Sequence, residues 1–410
     1  MIFCRGLRIW WANCSRDRLA IIGERRKNMY IAHLHFESWR NFRKVDVELQ
    51  ERAFLVGANA SGKSNFLDGL RFLRDLVIPG GGLEKAVQDR GGVSRVRCLA
   101  ARKYANIVIE VSLAEDAQEI WKYRIAIGQD NQRRPILKEE KAWHGTQLVC
   151  NRPEAKDNED PERLHQTYLQ QVNANKEFRP IADFFASIRY WHVVPQLIRD
   201  PDRSVGKQND PFGGDFLDLM QRTPKITREA RLRGIQEALT VAVPQLQGLR
   251  LQPDERGIPH LQGNYKHWRP NGSWQNEADF SDGTLRLIGL LWALLDGNGP
   301  LLLEEPELSL HNGVVQYIPQ MMARMQKKRR SRQIILSTHS SDLLSDPGIE
   351  PEEILLFFPG NDGTDVKEAS QLEDVRLQIA SGLTAAEVVI PRTRPQNGEQ
   401  LTLFGEKQND

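Results

Sequence analysis

Residues Gly57 to Ser64 read Gly-Ala-Asn-Ala-Ser-Gly-Lys-Ser. The spacing is that of a G-x-x-x-x-G-K-[ST] loop, in which backbone N–H groups cradle phosphates. An apolar run, Arg52-Ala-Phe-Leu-Val56, precedes it as a buried strand does. After it Phe66, Leu67, Leu70, Phe72, Leu73 and Leu76 recur at three- and four-residue spacing, which predicts a helix. Strand, glycine loop and helix together form the context that the motif requires. Gly57 and Gly62 let the chain turn so that successive N–H groups face one concavity, and the helix N-terminus adds a positive field. Lys63 would reach the β- and γ-phosphates, and the Ser64 hydroxyl would hold Mg²⁺. The chain therefore reads as a nucleoside triphosphate binder.

At 410 residues there is room for one large α/β domain with an insertion, or for two domains. Charged residues make up 27% and the net charge is +2, so any nucleic-acid surface must be a local patch. No apolar run reaches the length of a membrane span. Cys4, Cys14, Cys98 and Cys150 form no C-x-x-C pair and have no His spacing suited to zinc, which implies reduced thiols and a cytoplasmic location. Residues 1–28 set Arg5, Arg8, Arg16, Arg18, Arg25, Arg26 and Lys27 against Asp17 and Glu24. They lack the apolar core of a secretory signal and read as a basic extension or a mis-assigned start, because Met29 opens a better strand pattern.

Two strands are expected between Met29 and Gln50, with Ser38 to Arg43 between them. The alternating runs Ile107–Leu113 and Trp121–Ile127 predict neighbouring antiparallel strands. Residues 151–177 are polar and suit an insertion or surface loop, Arg189–Pro195 returns to strand, and Lys225–Leu239 is a basic amphipathic helix. No sustained heptads separate the phosphate loop from the next motif, so no long coiled coil fits there. The expected division is a segment 1–28, a principal domain 29–380 with a variable insertion near 145–270, and a flexible tail 381–410.

Leu301-Leu-Leu-Glu-Glu-Pro-Glu307 is an apolar strand ending in carboxylates. A strand buried in a parallel sheet needs that character, and ligands of open α/β sheets bind at strand carboxyl ends. Glu304 would hold Mg²⁺, and Glu305 would polarise the attacking water. Phe280-Ser-Asp-Gly-Thr-Leu-Arg286 precedes an apolar helix; Ser281 or Asp282 caps it, and Gly283 permits close approach to an oxyanion. It reads either as a capped core helix or as a loop presenting a hydroxyl to a γ-phosphate. Arg332-Gln-Ile-Ile-Leu-Ser-Thr-His-Ser340 is a strand with His339 at its end, placed for γ-phosphate sensing.

In this order, Asn59-Ala-Ser-Gly-Lys-Ser-Asn65, Phe280-Ser-Asp-Gly-Thr-Leu-Arg286, Glu304-Glu-Pro-Glu307 and Ser337-Thr-His-Ser340 resemble the motifs of ABC-type ATPases of the SMC, RecF and OLD group. The resemblance covers roughly residues 29 to 360. It implies an α/β P-loop fold of ABC/RecF type, with a mixed central sheet, an antiparallel β subdomain and a helical signature lobe. It also implies a homodimer sandwiching ATP, in which Ser281 and Gly283 contact the partner's nucleotide, and a glutamine linking Mg²⁺ to the variable lobe. Gln196 is the candidate for that glutamine, with Gln88 as rival. His311 stands where many ABC proteins have Asp, and Glu304 replaces the more usual Asp. Too little chain follows His339 for the toprim domain of OLD-type nucleases, so a nuclease or toxin effector would be a separate subunit.

Lys327-Lys-Arg-Arg-Ser-Arg332 reads as a solvated helix end or as a phosphate-contacting patch that Arg228, Arg231 and Arg233 could extend toward DNA. In the tail, Gln400-Leu401-Thr-Leu403-Phe404 is similar to the peptide by which bacterial proteins engage the DNA sliding clamp; docking elsewhere is the alternative. The functional expectation is an ATPase acting in DNA repair, recombination or anti-phage defence. The alternative is an ATP-sensing scaffold that regulates an effector.

Overall fold

Two six-stranded sheets enclose the helix that follows the phosphate loop, in a computed structural model that describes residues 29–101, 106–201, 210–266, 273–329 and 332–394. The segment 1–28 and the peptide Gln400–Phe404 lie outside the described residues. The strands are β1 (Tyr30–Trp39), β2 (Phe42–Glu48), β3 (Arg52–Gly57), β4 (Ile107–Glu115), β5 (Gln118–Gln129), β6 (Pro135–His144) and β7 (Gln147–Arg152). They continue as β8 (Arg189–Trp191), β9 (Leu246–Pro253), β10 (Pro259–Tyr265), β11 (Ser273–Asn276), β12 (Leu301–Glu304), β13 (Ile334–Thr338), β14 (Ile354–Gly360) and β15 (Gly363–Glu368).

The outer sheet is antiparallel with order β2-β1-β4-β5-β6-β7, and the central sheet has order β15-β14-β3-β13-β12-β8. Within the central sheet β14, β3, β13, β12 and β8 run parallel and only β15 is antiparallel. This is the expected mixed sheet with an antiparallel subdomain. Because β3, β12 and β13 are covered on both faces, their apolar runs are unbroken. Ala53, Leu55, Leu302 and Ile335 face the loop helix Lys63–Val77, whose Phe66, Leu70 and Leu73 also meet the outer sheet. Phe54, Val56, Leu303 and Leu336 face the opposite core, built on the helix Ile318–Arg329 and the helix Ala385–Thr393. A third core joins the small sheet β11-β10-β9 and the helix Lys225–Ala242 to the helix Asp282–Leu295. No helix among the described residues is long and apolar enough to cross a membrane.

Three boundaries differ from expectation. The strand expected at Arg189–Pro195 stops at Trp191, and Pro195, which has no N–H to give to a ladder, opens the short helix Pro195–Ile198. The range 145–270 is not one insertion, since β8 within it is a strand of the central sheet. The ordered chain extends beyond 380: Ala385–Thr393 is a helix started by a Thr384–Glu387 capping box, with Val388 and Val389 buried. Pro391 falls in its last turn, so it shortens the helix without preventing it.

The polar segment 151–177 is likewise no simple surface loop. Arg152 is buried, and its guanidinium donates to Glu140 at 3.1 Å and to Asp157 at 2.8 and 3.0 Å. It also donates to the carbonyls of Gln166 and Arg163 at 2.8 and 3.0 Å, and it lies 3.8 Å over the Tyr168 ring. Glu140 further accepts from the Tyr168 and Leu169 N–H groups and from the Tyr123 hydroxyl. Burial opposes ionisation of Asp157, but hydrogen bonds from Arg152, the Glu154 N–H and Arg163 outweigh it and hold its pKa at about 2. Arg152→Met would take the buried guanidinium from both carboxylates and leave Glu140 with no cation beside it. It should cost about 3–5 kcal/mol, read as a lowered denaturant midpoint, and Arg152→Lys should not restore it, because an ammonium cannot replace the planar fork.

Candidate functional site

The parallel register of the central sheet sets three strand ends side by side: Glu304 lies opposite Ser337, Ser337 opposite Leu55 and Thr338 opposite Val56. Gly57, Glu305 and His339 leave the sheet at that same edge. The loop from Gly57 closes tightly. A Cβ on Gly57 would lie 2.6 Å from the Ser61 hydroxyl and 2.8 Å from Phe357. Gly62 has φ +99°, and a Cβ there would lie 2.9 Å from the Asn41 carboxamide carbon. Both glycines are thus required by close approach, and Gly62 also by its backbone. Asn59 is exposed at the loop tip.

Lys63 opens the loop helix and is buried, with its Nζ donating to the carbonyls of Gly57 at 2.8 Å and Ala58 at 3.0 Å. Burial lowers its pKa, against the pull of the Glu305, Glu307 and Glu304 carboxylates. The ammonium therefore sits inside the loop, facing three acids. The Ser61 hydroxyl is buried in the same loop and has no protein partner. A phosphate suits this donor set: a desolvated ammonium on a tight glycine loop at the N-terminus of a long helix, with a buried hydroxyl in the same loop that no protein group satisfies.

Beside it, the Ser64 hydroxyl donates to Glu304 Oε1, and the Tyr190 hydroxyl donates to Glu304 Oε2. Burial and then the adjacent carboxylate push the Tyr190 pKa up, so it remains a donor. A serine hydroxyl and a carboxylate are the hard oxygen ligands that suit Mg²⁺. Glu305 has φ +41°, a left-handed residue held by its N–H bond to the Ser337 carbonyl at 3.1 Å. Its Oε1 lies 3.2 Å from His339 Nδ1. Glu307 is buried and accepts from the Thr338 hydroxyl at 2.5 Å; burial raises its pKa despite that bond.

Ser281 is exposed and caps the helix Asp282–Leu295, accepting from the Thr284 N–H at 3.2 Å. A Cβ on Gly283 would lie 2.5 Å from the Ser309 carbonyl oxygen, so the loop after Glu307 crosses directly over this helix start. Asp282 pairs with Arg199 at 2.5 Å. Arg286 faces Asp282 and Glu305, and burial lowers its pKa against their pull. His311 caps the short helix Asn312–Val315 by accepting the Gly313 N–H at 3.0 Å. An aspartate could cap the helix in the same way.

The fold thus joins Lys63, Ser64, Glu304, Glu305 and His339 in one group. Gln196 is exposed on the helix Pro195–Ile198 and has no hydrogen bond to any of them. Its rival Gln88 is exposed and bonded to Glu84 at 2.9 Å. Of the basic residues, Arg332 is buried and donates to the Ala293 and Gly299 carbonyls at 2.7 and 2.8 Å, while Arg231 pairs with Asp296. Both are thus committed to the end of the helix Asp282–Leu295 and the turn after it rather than turned toward a polyanion. Asn65 bonds Asn41 at 2.8 Å. Sequence reasoning missed three residues, Asn41, Tyr190 and Glu307. Asn41 and Glu307 carried local signals, the first in the tight turn between two predicted strands and the second at the end of the acidic run Glu304–Glu307, whereas Tyr190 carried none.

A family model described as "AAA domain, putative AbiEii toxin, Type IV TA system" matches residues 52–346. The DNA replication and repair protein RecF of Trichodesmium erythraeum is 30% identical over 92 residues, 21% of this chain and 22% of that protein. The RecF of Synechocystis sp. is 27% identical over 110 residues, 26% of this chain and 28% of that protein. The match thus spans between 22% and 28% of the length of these curated relatives. Among solved structures, an SMC head bound to the C-winged helix domain of ScpA aligns at TM-score 0.49 and 14% identity, covering 82% of this chain and 97% of that one.

The wedge of Asn41 against Gly62 is testable by a double-mutant cycle. Gly62→Ala should destabilise the protein by about 1 kcal/mol or more, from its left-handed backbone and the Asn41 clash. Adding Asn41→Ala should recover part of that loss, measured by urea unfolding; strict additivity would mean that the two do not touch.

Proposed function

Because this chain belongs to the family described as "AAA domain, putative AbiEii toxin, Type IV TA system", and its motifs resemble those of the ABC-type ATPases of the SMC and RecF group, we propose that it binds and hydrolyses ATP as a dimer that closes around the nucleotide. The observation that carries this reading is the single group of Lys63, Ser64, Glu304, Glu305 and His339 at three adjacent strand ends.

In this reading the loop N–H groups, Asn59 at its tip and Lys63 bind the phosphates; Lys63 exchanges its carbonyl partners for phosphate oxygens. Ser64 and Glu304 would hold Mg²⁺, which neutralises developing charge on the β- and γ-phosphates. Glu305 orients the attacking water and accepts its proton, with His339 holding the carboxylate and sensing the γ-phosphate. Exposed Ser281, beside Gly283, suits contact with a nucleotide on a second copy. Asn65 braces the loop through Asn41. The similarity to RecF over a short stretch favours service to DNA, in repair, recombination or defence against foreign DNA. The toxin named in the family description favours a second reading, in which ATP occupancy regulates a toxin or nuclease subunit.

Glu305→Gln should slow hydrolysis about a hundredfold or more while leaving ATP binding intact, and so accumulate an ATP-bound dimer visible by light scattering. A Glu305→Gln protein that stays monomeric with ATP would remove the sandwich. Lys63→Ala should abolish nucleotide binding measured by calorimetry. Stimulation of ATPase activity by duplex DNA separates the first reading from the second, which instead expects an effector to co-purify.

A further inference from the structure

We infer that Tyr190 is a positioning residue that sets which divalent cation the Ser64–Glu304 pair accepts, by keeping one Glu304 oxygen from the metal. The inference rests on the triphosphate reading above and goes beyond it, since it concerns a residue outside every motif of the chain.

β8 runs parallel to β12 with Tyr190 opposite Leu302. Side chains alternate along a strand, so Tyr190 and Glu304 stand on the same face, the one covered by the loop helix. The phenol ring is buried, and the Arg71 guanidinium sits 5.2 Å from its centroid. Arg71 is itself held by Asp68 at 2.9 Å. The ring is therefore clamped between sheet and helix, with its hydroxyl committed to Glu304 Oε2. The other oxygen, Oε1, meets Ser64. A cation between Ser64 and Glu304 can thus draw on Oε1 without breaking a buried bond, but not on Oε2.

One carboxylate oxygen and one hydroxyl would leave a bound cation to complete its set with phosphate and water oxygens, which suits the compact shell that Mg²⁺ demands. Ca²⁺ draws on more oxygens at longer distances and commonly takes carboxylates bidentate, which the Tyr190 bond opposes. The glutamate has a longer arm than aspartate and greater freedom to rotate into bidentate geometry. Tyr190 removes that freedom.

The test is equilibrium binding of a fluorescent ATP analogue to the full chain, in EDTA and then across Mg²⁺ and Ca²⁺ titrations. Tyr190→Phe should leave binding in EDTA unchanged and raise the Mg²⁺ midpoint about 10-fold, within the range for groups that orient metal ligands. The Ca²⁺ midpoint should stay or fall, so the preference for Mg²⁺ shrinks. In a Glu304→Ala background Tyr190→Phe should change neither midpoint further. Mg²⁺ and Ca²⁺ midpoints that match those of the unmodified protein would overturn the inference, as would an equal shift in the Glu304→Ala background. Should Tyr190→Phe fail to fold, Arg71→Met, which frees the ring, is read by the same criteria. An unmodified protein that binds no ATP analogue, or binds it equally after Lys63→Ala, would overturn the triphosphate reading instead.

Discussion

Parallel registry across β3, β13 and β12 is the constraint on which the site depends. Slipping β12 by one residue against β13 would turn every side chain to the other face, sending Glu304 into the core under the helix Ile318–Arg329. Leu301, Leu302 and Leu303 are buried on both faces and would tolerate the slip, but a carboxylate carried into an apolar core would not, and that cost opposes it. Strand registry and carboxylate placement are therefore one constraint. At the end of the strand the chain departs from regular geometry: Glu305 adopts a positive φ, held by its bond to Ser337. Such a backbone costs of order 1–3 kcal/mol and persists where its surroundings over-determine it.

What was legible in the sequence was local. β3, the loop and its helix lie within 26 consecutive residues, from Arg52 to Val77, and each announces itself by period or by glycine spacing. β12 and β13 were legible for the same reason, and with them Glu304, Glu305 and His339. Tyr190 was not, because its meaning depends on a three-residue strand being laid beside β12 from more than a hundred positions away. Arg152 and its partners looked like a solvated loop, since composition cannot tell a satisfied buried charge from an exposed one. The helix Ala385–Thr393 was short and held a proline, two features that masked a face packed against the core. Gln196 rested on element order in a resembling family, and order alone does not aim a side chain.

Electrostatics inside the site are asymmetric. Three carboxylates and one lysine crowd a small volume, with Arg286 facing Glu305 from the helix Asp282–Leu295. Burial opposes the charge on Lys63, Arg286 and Glu307 alike. A cation between Ser64 and Glu304 and a phosphate at Lys63 would each offset charge left by the other, so metal and nucleotide are expected to favour one another's binding.

Asn41 has a wider reach than its size suggests. From the β1–β2 turn it donates to the Ser61 carbonyl at 3.3 Å and the Thr364 hydroxyl at 2.8 Å, and it accepts from Asn65. Its own carbonyl takes the Thr364 N–H at 2.9 Å. One carboxamide thus rivets the outer sheet, the anion loop and the β14–β15 hairpin at a single point. A shift of the β1–β2 turn against the hairpin would pull on the loop through these bonds, and a loop held in place would resist that shift. A partner gripping the outer sheet would thereby hold a mechanical handle on nucleotide occupancy, without ever approaching the phosphates.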